Sequence, residues 1–474
     1  MDLSVILHAA QSPDKAQREQ AEATLQQYEK DSFGPFAGAL AQALNDETKD
    51  PNSRQLAGLQ LKNMLTARDE ALKADKALRW LALDAAMRTP IKTCAMGALA
   101  SPAPQAAAAG AQVVARLGAI EMPASQWPEL PAELQALVSG PQASSDTAKA
   151  CALDAIGFLC EDVDEDALPP GSVDALLTPI VFGMQPAAPG ADPGVRMSAT
   201  RALLNSLGFT KANFEKDAER DAIMGAVLAA MAPPAQPPTG AEAPEVVRVA
   251  AYECAARVVE LYYDKVGPYI HKLFELTVGA IRGGEGEPVV LQAIEFWTAM
   301  CEEEDDILSE HDEFGAGAVS DARTCHNYIA GAFEHLLPLL LTNTLTKQDE
   351  SADDNEWNVA AAGAVCLGAI TYTCGNLAEV SKNSAAVEKI VQTVLAFVQV
   401  RALLAARAVC ARRVRAPLRA PRSLSPPLSR PLPRTILSRP LPCPARAHAG
   451  ASCRPRARSR ATSSTPSGAT ARPR

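Results

Sequence analysis

Val195-Arg196-Met197-Ser198-Ala199 opens an Ala- and Leu-rich run, and openings of the same kind recur on both sides of it. Ala148-Lys149-Ala150-Cys151-Ala152 precedes it; Val247-Arg248-Val249-Ala250-Ala251 and Val290-Leu291-Gln292-Ala293-Ile294 follow. Their second positions, 149, 196, 248 and 291, stand 47, 52 and 43 residues apart. A small residue at each aligned Ala lets a neighbouring helix come close. A helix pair that cannot bury its apolar face alone does so by stacking on the next pair.

A period near 45 residues built from helix pairs marks HEAT or armadillo repeats. The fold expected is therefore all-α: a right-handed α-solenoid of HEAT repeats, about eight helix pairs with the last partial, and a disordered C-terminal tail. An ordinary Ala-rich helical domain is the plainer alternative. Apolar residues make up 47% of the 474 and aromatics 5%, a balance that suits helices better than sheets.

Outward from the repeats the same pattern continues. Toward the N-terminus, helical spacing predicts a first pair from Leu3 to Tyr28, broken at Ser12-Pro13-Asp14 with Ser12 as N-cap. Further helices are expected at Phe33 to Leu44, Ser53 to Leu65, Leu78 to Met87, Ile91 to Leu99, 105–117 and 130–138. Toward the C-terminus the pattern runs through Tyr269 to Ile281, Val289 to Cys301, His326 to Leu341 and Trp357 to Cys374. Glu302 to Asp306 reads as a solvated helix end, and 349–356 as an acidic loop. The chain divides into N-terminal repeats (1–140), central repeats (141–400) and a tail (401–474).

That tail has a different composition. From Arg401 onward there are 17 Arg, no Lys and no acidic residue, which leaves 28 basic against 55 acidic residues in 1–400. The body thus carries about −27, a balance that attracts basic partners and repels nucleic acid. The tail reads either as translated GC-rich non-coding sequence, a gene-model artefact, or as a disordered basic arm. No signal peptide or membrane span is read, and the eleven scattered Cys lack the CxxC pairing of metal or redox sites. With no phosphate loop, HExxH or GxSxG, neither catalysis nor a cofactor or metal is expected.

Longer stretches carry more than the period. Ala57-Gly58-Leu59-Gln60-Leu61-Lys62-Asn63, Arg79-Trp80-Leu81-Ala82-Leu83-Asp84, Gln126-Trp127-Pro128-Glu129-Leu130 and Ala202-Leu203-Leu204-Asn205-Ser206-Leu207 are joined by Phe209-Thr210-Lys211-Ala212-Asn213-Phe214, Ile294-Glu295-Phe296-Trp297 and Leu345-Thr346-Lys347-Gln348-Asp349-Glu350. In these stretches residues 1–400 resemble the N-terminal part of the importin-β family of nuclear transport receptors. A generic HEAT scaffold would share the period without them.

The resemblance implies two sets of protein contacts. Lys62, Asp162, Glu295 and Glu302, with Asp349, Glu350, Asp353, Asp354 and Glu356 of the acidic loop, match the region that binds the Ran GTPase in its GTP form. Leu177, Thr178 and Val181 on one helix, Ile223 on the next and Tyr269 beyond match pockets for Phe-Gly nucleoporins. Ala222 stands where the family usually has an aromatic residue, so a shallower pocket is expected. Glu295, beside Phe296-Trp297, could also pair within the core. Shuttling between cytoplasm and nucleus through the pore follows from the resemblance. Binding of an importin-α adaptor or cargo is expected only of a longer natural protein, since the family pattern stops near Val400.

Overall fold

A computed structural model describes residues 3–140, 144–169, 171–186, 192–233, 243–314, 323–344 and 357–381, with 392, 395 and 396 beyond. The acidic loop 349–356 and the tail 401–474 lie outside the described residues. Among the described residues every regular element is a helix. They form α1 (Ser4–Ala9) with α2 (Lys15–Asp31), α3 (Phe33–Asn45) with α4 (Pro51–Met64), and α6 (Ala85–Ala98) with α7 (Pro104–Glu121). Next come α8 (Leu130–Ser139) with α9 (Asp146–Asp162), α10 (Ser172–Gly183) with α11 (Gly194–Ser206), and α13 (Asp217–Met231) with α14 (Glu245–Tyr262). The series ends with α15 (Ile270–Arg282) on α16 (Glu287–Phe314) and α17 (Tyr328–Asn343) on α18 (Val359–Ser381). These are the eight pairs of a HEAT-type solenoid; α5 (Glu70–Leu81) and α12 (Lys211–Phe214) are additions between pairs.

The second helices of the pairs stack one on the next, α4 on α7, then α9, α11, α14, α16 and α18, and form one layer. Each of the four recurring openings begins, or lies near the start of, a helix in this layer. Ala152, Ala199, Ala251 and Ala293 are all fully enclosed. At Gly157 of α9 a Cβ would come within 3.2 Å of the Ala202 Cα of α11, which is how close these helices run. Contacts of this kind fuse the apolar faces into one continuous core.

The arginine of the opening has a task that spacing alone does not disclose. Arg196 Nε donates to Met184 O at the end of α10 (3.0 Å), and its Nη2 to Ala229 O of α13 (3.2 Å). Arg248 Nε donates to Met231 O, the last residue of α13 (3.4 Å), and Arg54 of α4 to Leu44 O of α3 (2.9 Å). Each guanidinium thus satisfies a carbonyl that a helix end leaves without an intrahelical donor.

Three local expectations are corrected. The N-cap of α2 is Asp14, whose carboxylate accepts from Ala16 N at 2.9 Å; Ser12 Oγ instead accepts from Asp14 N. The helix expected from Leu78 to Met87 is divided at Ala82–Asp84, and α6 runs straight through Pro90. Leu83 O, at that division, receives Arg88 Nε at 3.1 Å. The acidic run Glu302 to Asp306 does not end its helix: α16 continues to Phe314, and Glu304 is fully buried.

Candidate protein-binding site

The α10 residues Asp174, Leu177, Thr178 and Val181 recur at 0, +3, +4 and +7, so they share one face of the helix. That face borders Glu219, Ala222 and Ile223 of α13, and together with Asn213 they line a groove of about 380 Å³. Four residues expected from sequence, Leu177, Thr178, Val181 and Ile223, are brought together here with Ala222. Ala222 leaves open the space a larger side chain would fill. Thr178 Oγ1 donates to its own helix at Asp174 O (2.8 Å), so its polar group is occupied within the helix.

Asn213 was not expected at the site, although its stretch was singled out. Its Nδ2 donates to Asp174 Oδ1 at 2.7 Å and to Glu219 Oε2 at 2.8 Å, which ties α10 to α13 across one end of the groove. Only the fold brings the two acids to one amide, for 39 residues separate Asp174 from Asn213. Behind it, Phe214 stacks on Tyr262 with ring centroids 4.0 Å apart. Tyr269 does not line this groove; it precedes α15, and its hydroxyl donates to Asp221 of α13.

The described charged residues expected from sequence, Lys62, Asp162, Glu295 and Glu302, fall on the other layer. Lys62 of α4 donates to Gln112 Oε1 of α7 at 3.1 Å. Asp162, at the end of α9, lies 3.6 Å from Arg116 Nη1, and Arg116 Nε donates to Leu65 O at the end of α4 (2.8 Å). Glu295 and Glu302 sit two turns apart on α16. Glu295 is half-buried and hydrogen-bonded by Trp357, and burial raises its pKa against that bond.

Around Glu302 the like charges accumulate. Desolvation, then the charges of Glu260, Glu295 and Asp306, raises its pKa. Glu303 is raised by burial in the same way, and Arg323 at 2.7 Å opposes the rise. On α14, burial raises Glu253 while Arg201 opposes it; Asp154 of α9 is raised by burial and stabilised by Ser198 and Arg201. Helices α9, α14 and α16 therefore present a band of carboxylates that a basic partner would relieve. Among the described residues there is no cluster of three metal-type ligands, and no helix is long and apolar enough to cross a membrane.

The sequence profile of the importin-beta N-terminal domain matches residues 21–101. Importin subunit beta-1 of Arabidopsis thaliana is 38% identical over 380 residues, which cover 79% of this chain and 41% of that protein. The solved Kap95:Nup1 complex matches with a TM-score of 0.70 and 30% identity over 83% of this chain and 45% of that one. A second Kap95 structure, in which Kap95 binding switches the loops of RanGDP to the GTP-bound conformation, matches with a TM-score of 0.69 and 31% identity. It covers 81% of this chain and 43% of Kap95. The chain thus spans less than half the length of the relatives it matches. Over the stretch it shares with them, it belongs to the importin-β family.

Proposed function

We propose that the chain acts as a nuclear transport receptor of the importin-β type, binding Phe-Gly nucleoporins between α10 and α13 and Ran-GTP along the layer of α4 to α16. The α10–α13 groove carries the reading: four residues expected from the family pattern converge, with Ala222, on one apolar opening with an amide and two carboxylates at its end. The Kap95 complexes with Nup1 and with Ran support both kinds of partner. Residues 1–140 then contribute the first Ran contacts, Lys62 among them. The central repeats contribute Asp162, Glu295, Glu302 and the loop acids Asp349, Glu350, Asp353, Asp354 and Glu356, besides the nucleoporin groove and, apart from it, Tyr269. A cytoplasmic and nuclear distribution with accumulation at the pore follows. Adaptor or cargo binding would belong to a longer protein.

A Phe ring buried in such a groove gains roughly 1.5–3 kcal/mol, weak alone and useful when many repeats act together. The test is fluorescence anisotropy of a labelled peptide of several Phe-Gly repeats, with a Ser-Gly peptide as control. Binding that needs the Phe rings and weakens at least threefold in Ala222→Arg, at an exposed position, is the expected result. Equal binding of both peptides, or none of either, refutes the nucleoporin reading.

A further inference from the structure

Between α6 and α8 a second groove opens, about 820 Å³, and it repeats the first in detail. On α6 it is lined by Thr89, Lys92, Thr93 and Met96, at 0, +3, +4 and +7; on α10 the lining residues are Asp174, Leu177, Thr178 and Val181 at the same offsets. On α8 it is lined by Glu133, Ala136 and Leu137, at 0, +3 and +4; on α13 these are Glu219, Ala222 and Ile223. Thr93 Oγ1 donates to Thr89 O at 3.0 Å, as Thr178 does to Asp174 O. An acid, an Ala and an aliphatic residue face a back-bonded Thr and a second aliphatic residue in both places.

Two positions depart: Thr89 where α10 has Asp174, and Lys92 where α10 has Leu177. Its ammonium is drawn away onto Glu121 Oε2 at 2.7 Å and lies 4.7 Å from the centre of the buried Trp127 ring, which also lines the groove. The fully buried Glu121 carboxylate is shared with Arg88 Nη1 at 2.9 Å, so it offsets only part of the Lys92 charge, and Glu129 and Glu133 are the other charges among the lining residues. Both grooves thus join apolar walls to an acidic rim. Such a rim favours a segment with amide or basic groups beside its apolar side chain and repels an acidic one.

We propose that the α6–α8 groove is a second docking site for a Phe ring flanked by glycines in a segment without acidic residues. This rests on the reading of the α10–α13 groove given above. The larger volume accommodates the ring together with a neighbouring residue, and two such grooves on one chain would let successive rings of one peptide engage together.

The test is photo-crosslinking of the full chain with a Phe-Gly repeat peptide in which one Phe is replaced by benzoylphenylalanine, followed by peptide mapping. Two groups of cross-links are expected, one around Val181 and Ile223 and one around Met96 and Leu137, each competed by unlabelled Phe-Gly peptide and not by Ser-Gly peptide. Ala136→Arg, at an exposed position, removes the second group and spares the first; Ala222→Arg does the reverse. Cross-links around α10 and α13 alone overturn the second site while leaving the nucleoporin reading intact. Cross-links at neither groove overturn both. Labelling near Met96 that survives competition or Ala136→Arg also overturns the second site.

Discussion

Arg248 shows how one side chain holds a repeat together. It is 3% exposed, donates to the last carbonyl of α13 and pairs through Nη1 with Glu285 Oε2 at 2.5 Å in the loop before α16. Removing one partner of a buried pair leaves the other charge uncompensated. Arg248→Ala is therefore expected to destabilise the chain by about 3 kcal/mol or more, read as a lowered melting temperature. Val247-Arg248 was legible as an opening; its partners were not, because Met231 and Glu285 approach only through folding. Glu304 was less legible still. In a run of five acids it reads as solvated, yet it is buried and accepts from Tyr263 Oη at 2.9 Å and from the backbone N–H groups of Tyr328 and Ile329 at the start of α17. Burial raises its pKa to about 7 from the ordinary 4.5, against those three bonds. Between these values the folded chain holds a proton that the unfolded chain has released. Stability from this group therefore falls as pH rises from about 4.5 to about 7 and is level above. The span corresponds to about 3 kcal/mol. Melting curves of the chain and of Glu304→Gln across pH 5 to 8 should converge or diverge by that slope; parallel curves would contradict it.

At the scale of helices, apolar spacing marked most elements to within a few residues, because a 3.6-residue period against a neighbour leaves a stripe that composition cannot hide. It failed where ends are decided by local bonds. Asp14 outcompetes Ser12 at the start of α2, and the division before α6 falls at Ala82–Asp84, not beside Pro90. The close approach of α9 and α11 was legible in their small residues, and it leads to a prediction. At Gly157 an added Cβ meets backbone of α11, not a movable side chain. Gly157→Val should cost about 1–3 kcal/mol by overpacking, read by urea denaturation. An unchanged midpoint would mean that the two helices separate easily. The α10–α13 groove was half legible: its apolar residues carried the family pattern, while Asn213 acquires its role only where the two helices meet.

At the scale of the whole molecule, the body is acidic, and its half-buried carboxylates gather on α9, α14 and α16. Fields of that kind chiefly speed encounter with a basic partner and are screened by salt. Association with Ran-GTP should slow markedly between low and physiological salt. Glu295→Gln combined with Glu302→Gln should slow it further at low salt, each exposed pair being worth about 1 kcal/mol or less. The resemblance in sequence pointed to this partner through Lys62, Asp162, Glu295 and Glu302. Their convergence on one layer of stacked helices required the fold. The most direct measurement is surface plasmon resonance of this chain against Ran loaded with a non-hydrolysable GTP analogue and, in parallel, with GDP. The account predicts saturable binding that is tighter for the GTP form and is weakened by the double glutamine variant. Binding to neither form, or binding indifferent to the nucleotide, would contradict it.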